Sequence, residues 1–574
     1  MPRALRTRTV LLLVTTALIA ACARDPQPQR AVDPAAEASG TATDATLGRP
    51  RAEADAEELV VLTGKLSGAR PASTPSSYRR ATPGLPLELA PWSAPVDREG
   101  YDTFEDHGVL RVGEHPVSTF SIDVDSASYA NVRRFLNQGQ LPREDAVRTE
   151  ELVNYFDYGY PEPEGDAPFA VYTELGPSPW HPERRLLHVG LQAERRAPED
   201  VPASNLVFLV DVSGSMRAPD KLELLKASLK LLAARLRPQD RVAIAVYAGA
   251  AGIVLEPTAG NRKAEIVAAL DRLRAGGSTH GSAGIQLAYA LARQSFVDGG
   301  VNRVILATDG DFNVGTVNHE ALAELVERER EDGVSLTVLG FGTGNYQDGL
   351  MQRLAQIGDG NAAYLDTLSE ARKVLVEELA ATLEIVARDV KIQVEFNPAR
   401  VSEYRLIGYE TRALRREDFA NDAVDAGEIG PGHTVTALYE LALVGEGGAL
   451  HEPLRYGDGD AARPEAGLDG ELAHLRLRYK RPGEEESVLS THPILAADAR
   501  ERLADTTDAY RFAAAAAGFG QLLRGGTYTG RLAWDDVAAL ARDARGADRW
   551  GHRGEFLGLV GTAKALAPAR VGSL

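Results

Sequence analysis

Two carboxylates and three hydroxyls carry the chemistry that this sequence offers most clearly. Asp211, Ser213 and Ser215 alternate in Asp211-Val-Ser-Gly-Ser215, Thr279 closes Gly276-Gly-Ser-Thr279, and Asp309 follows Ala307-Thr308. All present hard oxygen, which suits Mg²⁺, Mn²⁺ or Ca²⁺ better than ions that prefer sulfur or imidazole. They make one site only if the fold brings three separate stretches together. Leu206-Val-Phe-Leu-Val210 is a continuous apolar run that stops at Asp211, the pattern of a parallel strand buried on both faces with oxygens at its end.

The elements around that strand alternate in type. Strands are expected at 206–210, 241–247, 253–255, 303–307, 335–339 and 362–365, and helices at 221–236, 262–274, 282–296, 319–331, 347–357 and 369–387. Such alternation implies an α/β unit with a doubly wound, mainly parallel sheet. The stretch from Ile253 follows Tyr247 too closely for a crossover helix, so it should be an antiparallel edge, and the sheet is mixed. Each donor then falls just after a strand or at a helix start on one edge of the sheet, where open α/β sheets hold their ligands.

Taken together, Asp211-x-Ser213-x-Ser215, Thr279 and Asp309 resemble the D-x-S-x-S, threonine and aspartate pattern of the von Willebrand factor type A (VWA) domain, over residues 203–387. The resemblance implies a Rossmann-like fold and a metal-ion-dependent adhesion site (MIDAS) whose aspartates act directly or through water. With neutral hydroxyls as the other ligands, a divalent cation there keeps much of its charge, and Mg²⁺ retains water positions that a carboxylate can take. The resemblance therefore also implies a protein partner offering an acidic side chain to Mg²⁺ (or Mn²⁺ or Ca²⁺), with no catalytic step. The alternatives are a metal-dependent enzyme and a scaffold in which the metal only stabilises the fold.

Other motifs fail on single positions. Asp309-x-Asp311-x-Asn313 with Glu320 is like an EF-hand loop, but Val314 stands in place of the turn glycine and a strand enters it. His319-Glu320 lacks the second histidine of a zinc protease, because Ala323 occupies its place. Gly340-Phe-Gly342-Thr-Gly344 lacks the spacing of a dinucleotide turn and reads as a tight turn after a strand. His280-Gly-Ser282-Ala-Gly284 has histidine where a nucleophile elbow needs glycine, and His280 reads as a solvated loop residue. Asp123, Asp125, Ser126 and Ser128 read as a strand end followed by helix caps rather than as a second metal site.

The flanks differ in pattern from the centre. Residues 101–200 suggest an N-terminal α+β domain with strands at 116–123 and 185–191 and helices at 128–137 and 146–156. Residues 388–490 suggest a β-rich domain with strands at 390–396, 403–407, 434–441 and 472–479. Residues 491–574 form a helical region, with three amphipathic segments between Ala509 and Leu566 whose Phe512, Phe519, Trp534 and Phe556 are core positions. An economical arrangement packs 101–200 against 389–490 with the α/β unit inserted between them. Ser118-Thr-Phe-Ser-Ile-Asp-Val-Asp125 and Gly432-His-Thr-Val-Thr-Ala-Leu-Tyr-Glu-Leu441 resemble the terminal regions of bacterial VWA-domain lipoproteins, which extends the resemblance to about 101–570.

The N-terminus points to a membrane anchor. Arg3, Arg6 and Arg8 precede an apolar run from Val10 to Ala21, shorter than the ~20 residues of a spanning helix. It ends Ile19-Ala-Ala-Cys22, which resembles a lipobox, so residues 1–22 are expected to be a lipoprotein signal peptide and Cys22 the lipidated residue. Cys22 is the only cysteine, leaving no disulfide chemistry. Residues 23–100, rich in Ala, Pro, Thr and acidic side chains, read as a disordered tether. Ala23 after the cysteine resembles sorting to the outer membrane, so the chain is expected in the cell envelope, facing the periplasm or the cell surface. With 82 acidic against 63 basic residues the net charge is −19, which argues against nucleic acid as a partner.

Overall fold

The computed structural model describes residues 99–122, 125–197, 200–277, 281–310, 319–344, 346–378, 384–424, 426–452, 468 and 470–568. The chain divides by contact into Met1–Glu88 and Leu89–Leu574, and all the elements named below belong to the second unit. Cys22, the signal segment and the tether as far as residue 98 lie outside the described residues, as do Asp123, Thr279, His280 and 311–318. Glu99, expected in the tether, belongs to the fold: it is buried and accepts from Arg134 Nη2 at 2.7 Å.

In chain order the first elements are β1 (Leu110–Arg111), β2 (Val117–Ser121), α1 (Ala127–Asn137), α2 (Thr149–Asn154), β3 (Phe169–Pro177) and β4 (Arg185–Ala193). The central α/β unit contributes β5 (Ser204–Asp211), α3 (Leu224–Arg235), β6 (Arg241–Tyr247), β7 (Ala251–Ala259), α4 (Lys263–Arg272) and α5 (Gly281–Gln294). It continues with β8 (Val301–Thr308), α6 (His319–Glu331), β9 (Ser335–Phe341), α7 (Asp348–Ile357), β10 (Ala362–Leu365) and α8 (Leu368–Arg372). Then come β11 (Arg388–Phe396), β12 (Val401–Ile407), β13 (Thr434–Leu443), β14 (Glu471–Lys480) and β15 (Val488–Leu495), and last α9 (Asp508–Leu523), α10 (Trp534–Asp543) and α11 (His552–Leu566).

The central sheet runs β10-β9-β8-β5-β6-β7, parallel except for the antiparallel edge β7. Leu206, Phe208 and Val210 of β5 pack with Leu225 and Leu229 of α3 and Leu270 of α4. Val207 and Leu209 face the other way, toward Ile285, Leu322 and Leu354 of α5, α6 and α7. A strand covered on both faces needs apolar side chains at every position, hence an unbroken run rather than alternation. From β5 the chain turns to β6 on one side and later to β8 on the other, so a crevice opens at the C-terminal ends of β5 and β8.

The flanking segments form one body. One antiparallel sheet, β1-β12-β13-β4-β3, and another, β15-β14-β11-β2, each take strands from both sides of the α/β unit. Phe120, Val189, Ile392 and Tyr439 fill the space between them. The outer face of the five-stranded sheet, through Leu186, Ile407 and Leu438, meets Tyr129, Leu152, Phe512, Phe519 and Phe556 from α1, α2 and α9 to α11. Leu438 and Tyr439 lie on opposite sides because successive residues of a strand alternate. Among the described residues no helix is long and apolar enough to cross a membrane.

Several local expectations need correction. The helix expected to reach 387 is α8 followed by a wide turn at Lys373–Glu377, and Val386 N–H donates to the Ile429 carbonyl at 2.8 Å, joining the sandwich instead. The helix expected from 221 is preceded by a wide turn at Pro219–Glu223 and is regular only from Leu224. That expected at 146–156 is confined to Thr149–Asn154. Ser126 makes no cap bond. Instead, Glu151 Oε2 accepts from Ser128 N–H at 2.7 Å, while the Ser128 hydroxyl donates to the Ala146 carbonyl at 2.7 Å. Asp125 ties this segment to β10, accepting from Ala362 N–H at 3.1 Å.

A second tie between the α/β unit and the sandwich carries a pH dependence. Arg388 of β11 bonds Asp359, after α7, and Glu428, both at 3.1 Å. Burial, with the Asp359 charge adding to it, pushes the Glu428 carboxyl up to about 8. The native state therefore binds this proton more tightly than the unfolded chain, so the associated stability is full below about pH 4 and is lost as pH rises toward 8. Urea unfolding at about pH 5 and about pH 8.5 should show Glu428→Gln gaining stability relative to wild type as pH rises. A constant difference between the two proteins would refute this.

Candidate metal centre

β5 ends at Asp211 and its parallel neighbour β8 at Thr308, which brings Asp211 and Asp309 to the same end of the sheet. Both aspartates are fully buried. Asp211 Oδ1 accepts from Ser213 N–H at 2.8 Å, and Oδ2 accepts from the Tyr247 hydroxyl at 3.1 Å and, more weakly, from Thr308 Oγ1 at 3.4 Å. This holds the turn so that the hydroxyls of Ser213 and Ser215 lie 2.9 Å apart. Gly276 N–H donates to the Val212 carbonyl at 2.7 Å and Gly214 N–H to the Gly277 carbonyl at 3.0 Å. Those bonds fix the loop against the segment that leads toward Thr279, although Thr279 itself lies outside the described residues. Asp309 Oδ2 accepts from Lys221 Nζ at 2.8 Å.

Burial pushes the Asp211 carboxyl up to about 6, the Asp309 charge adding to it and the bonds from Ser213 and Tyr247 opposing it. Two buried carboxylates that repel each other beside a pair of hydroxyls form a donor set suited to a hard cation, which would relieve the repulsion. Among the described residues no three His, Cys, Asp or Glu side chains gather in metal-binding reach. Asp211, Ser213, Ser215 and Asp309 instead supply two carboxylates and two hydroxyls, a mixed oxygen set of the kind that Mg²⁺ takes. Asp211, Ser213, Ser215 and Asp309 fit such an ion.

Three residues at the crevice were not singled out from the sequence: Tyr247, Thr308 and Lys221. Lys221 was open to detection, because it shares a helical stripe with Leu225 and Leu229, and a lysine on a buried stripe needs a partner. The glycine stretch after β9 is the tight turn expected, with φ of +72° at Gly342 and +92° at Gly344. The EF-hand positions Asp311 and Asn313 lie outside the described residues.

Three stretches of the chain match known families. Residues 205–378 match the von Willebrand factor type A domain, residues 95–188 a family described as von Willebrand factor, and residues 381–566 one described as "Uncharacterized protein YfbK, C-terminal". YfbK of Escherichia coli (strain K12) is 47% identical over 473 residues, covering 81% of this chain and 81% of YfbK. The protein sll0103 of Synechocystis sp. is 30% identical over 188 residues, 33% of this chain and 44% of that protein. A solved structure of von Willebrand factor type A from Catenulispora acidiphila aligns with 73% of this chain and 99% of its own at 14% identity, with a TM-score of 0.39. Fold and sequence together define a VWA-domain protein. Within that class, the chain belongs to the bacterial YfbK family.

Proposed function

We propose that this chain is a lipid-anchored envelope protein that captures a protein partner through a divalent cation, Mg²⁺ first among Mg²⁺, Mn²⁺ and Ca²⁺. Asp211, Ser213, Ser215, Thr279 and Asp309 would hold the ion as a MIDAS. The observation that carries this is the buried Asp211 carboxylate, pushed up to about 6 and set beside the paired hydroxyls of Ser213 and Ser215. A cation in that position supplies an exchangeable site for an acidic side chain of the partner. The chain's own groups orient it: the Ser213 amide and the Tyr247 hydroxyl fix Asp211, and the end of β8 leads directly into Asp309. Lipid at Cys22 would anchor the chain to the envelope, with the outer membrane as the expected location. No catalytic step is assigned.

Calorimetric titration of Mg²⁺ into wild type and Asp211→Ala, followed by capture of envelope proteins in Mg²⁺ or EDTA, tests the proposal. Asp211→Ala is expected to lower metal affinity at least about 100-fold, the upper figure for losing even an outer-shell partner. It should also lose the same partners that EDTA removes, while still unfolding in one cooperative transition. Capture that survives both treatments would overturn the proposal. Labelled palmitate that is still incorporated in Cys22→Ser would overturn the anchor.

A further inference from the structure

The crevice already holds a cation of the protein's own. Lys221 lies in the wide turn before α3, is only 6% exposed, and places Nζ 2.8 Å from Asp309 Oδ2. Its path is built into the fold at the turn after β9. A Cβ on Gly342 would stand 2.3 Å from both Cγ and Cε of Lys221, and the φ of +72° there is one that side-chain-bearing residues rarely adopt. Glycine is thus needed at 342 for the backbone and for the lysine stem alike. A surface lysine that folded over by chance would have no such channel.

We propose that Lys221 is an internal counter-charge that sets how tightly this crevice holds its divalent cation and how strongly the loaded crevice attracts a carboxylate, a role that presupposes the cation site proposed above. With Asp211 and Asp309 ionised, a divalent ion makes the cluster neutral, and Lys221 makes it positive. The ammonium repels the incoming metal and occupies an Asp309 oxygen, so it weakens metal binding. The same charge leaves the loaded cluster positive toward an acidic ligand, so it strengthens capture. Neutralising Lys221 must therefore move the two affinities in opposite directions. A purely structural lysine would lower both or neither.

The test uses the full chain as wild type, Lys221→Met and Lys221→Gln, the last retaining a donor for Asp309 should the methionine variant fold poorly. Mn²⁺ is titrated by calorimetry, and acetate is then titrated into each Mn²⁺-saturated protein. Both variants are expected to bind Mn²⁺ at least about tenfold tighter and acetate several-fold more weakly than wild type. Mn²⁺ binding by a folded variant that is equal to or weaker than that of wild type overturns the counter-charge role and leaves the metal site standing. Acetate binding that is unchanged or stronger in the variants, or absent in wild type, also overturns it. Failure of all three proteins to bind Mn²⁺ overturns the metal site itself, and the role of Lys221 with it.

Discussion

Arg133→Met is expected to destabilise the chain by about 3–5 kcal/mol, the cost of removing one partner from a buried ion pair and leaving the other without compensation. Arg133 is 1% exposed, although it comes from the polar stretch Asn131-Val-Arg-Arg134 of α1. Nε donates to Asp366 Oδ2 at 2.8 Å, Nη1 to Glu555 Oε2 at 3.0 Å and to the Tyr155 hydroxyl at 3.2 Å, and Nη2 to Glu370 Oε2 at 2.7 Å and also to Asp366 Oδ1. Every guanidinium N–H is thereby used. The partners come from three places: Tyr155 from the N-terminal flank, Asp366 and Glu370 from the end of the VWA domain, and Glu555 from α11. A methionine would fill much of the volume but leave three carboxylates facing one another.

The carboxylates also predict how the loss varies with pH. Burial already raises the Asp366 carboxyl with Arg133 opposite it, and without the guanidinium that rise must grow. Protonation relieves an unpaired buried carboxylate, so the penalty should shrink as pH falls from neutral toward about 5. Urea unfolding of wild type and variant at both pH values is the measurement. A difference below about 1 kcal/mol at neutral pH, the scale of a surface ion pair, would show that the cluster is not buried in effect.

The α/β unit was legible because its strands are buried on both faces. Leu206 to Val210 and Arg303 to Ala307 announce themselves without alternation, and the motif residues Asp211 and Asp309 sit where those runs stop. β15 was not legible: Pro493 argues against a strand, and it is tolerated because β15 is a sheet edge with only β14 beside it among the described residues. The sharing of sheets by the two flanks could be suggested from composition but not registered, since a pairing such as Phe120 with Ile392 joins segments far apart in sequence and has no local signature. Lys221 was missed for the opposite reason. Its local pattern was clear, but its partner Asp309 becomes a neighbour only when β8 is laid beside β5.

A chain that ends at Thr506 is expected to lose cooperative folding altogether, even though the sheets and the VWA domain precede the cut. Phe512, Phe519 and Phe556 are completely buried, and full burial of each contributes about 1.5–3 kcal/mol. Their sum alone approaches the about 5–15 kcal/mol that separates a native domain from its unfolded state. Removing them also strips polar partners: the Tyr510 hydroxyl, 3.1 Å from both the Pro177 and Leu186 carbonyls, and Gln521 Oε1, which accepts from buried Arg405 at 2.7 Å. Arg133 would lose Glu555 in the same cut. The five-stranded sheet would then present Leu186, Ile407 and Leu438 to water on one face while its other face still packed on its partner sheet. Near-UV circular dichroism, dye binding and urea unfolding of this truncated chain decide the matter: lost near-UV signal, dye binding and a broad transition are expected. A sharp transition with the near-UV signal retained would mean that the two sheets hold without their helical cover and that α9 to α11 are an accessory rather than the third layer of the body.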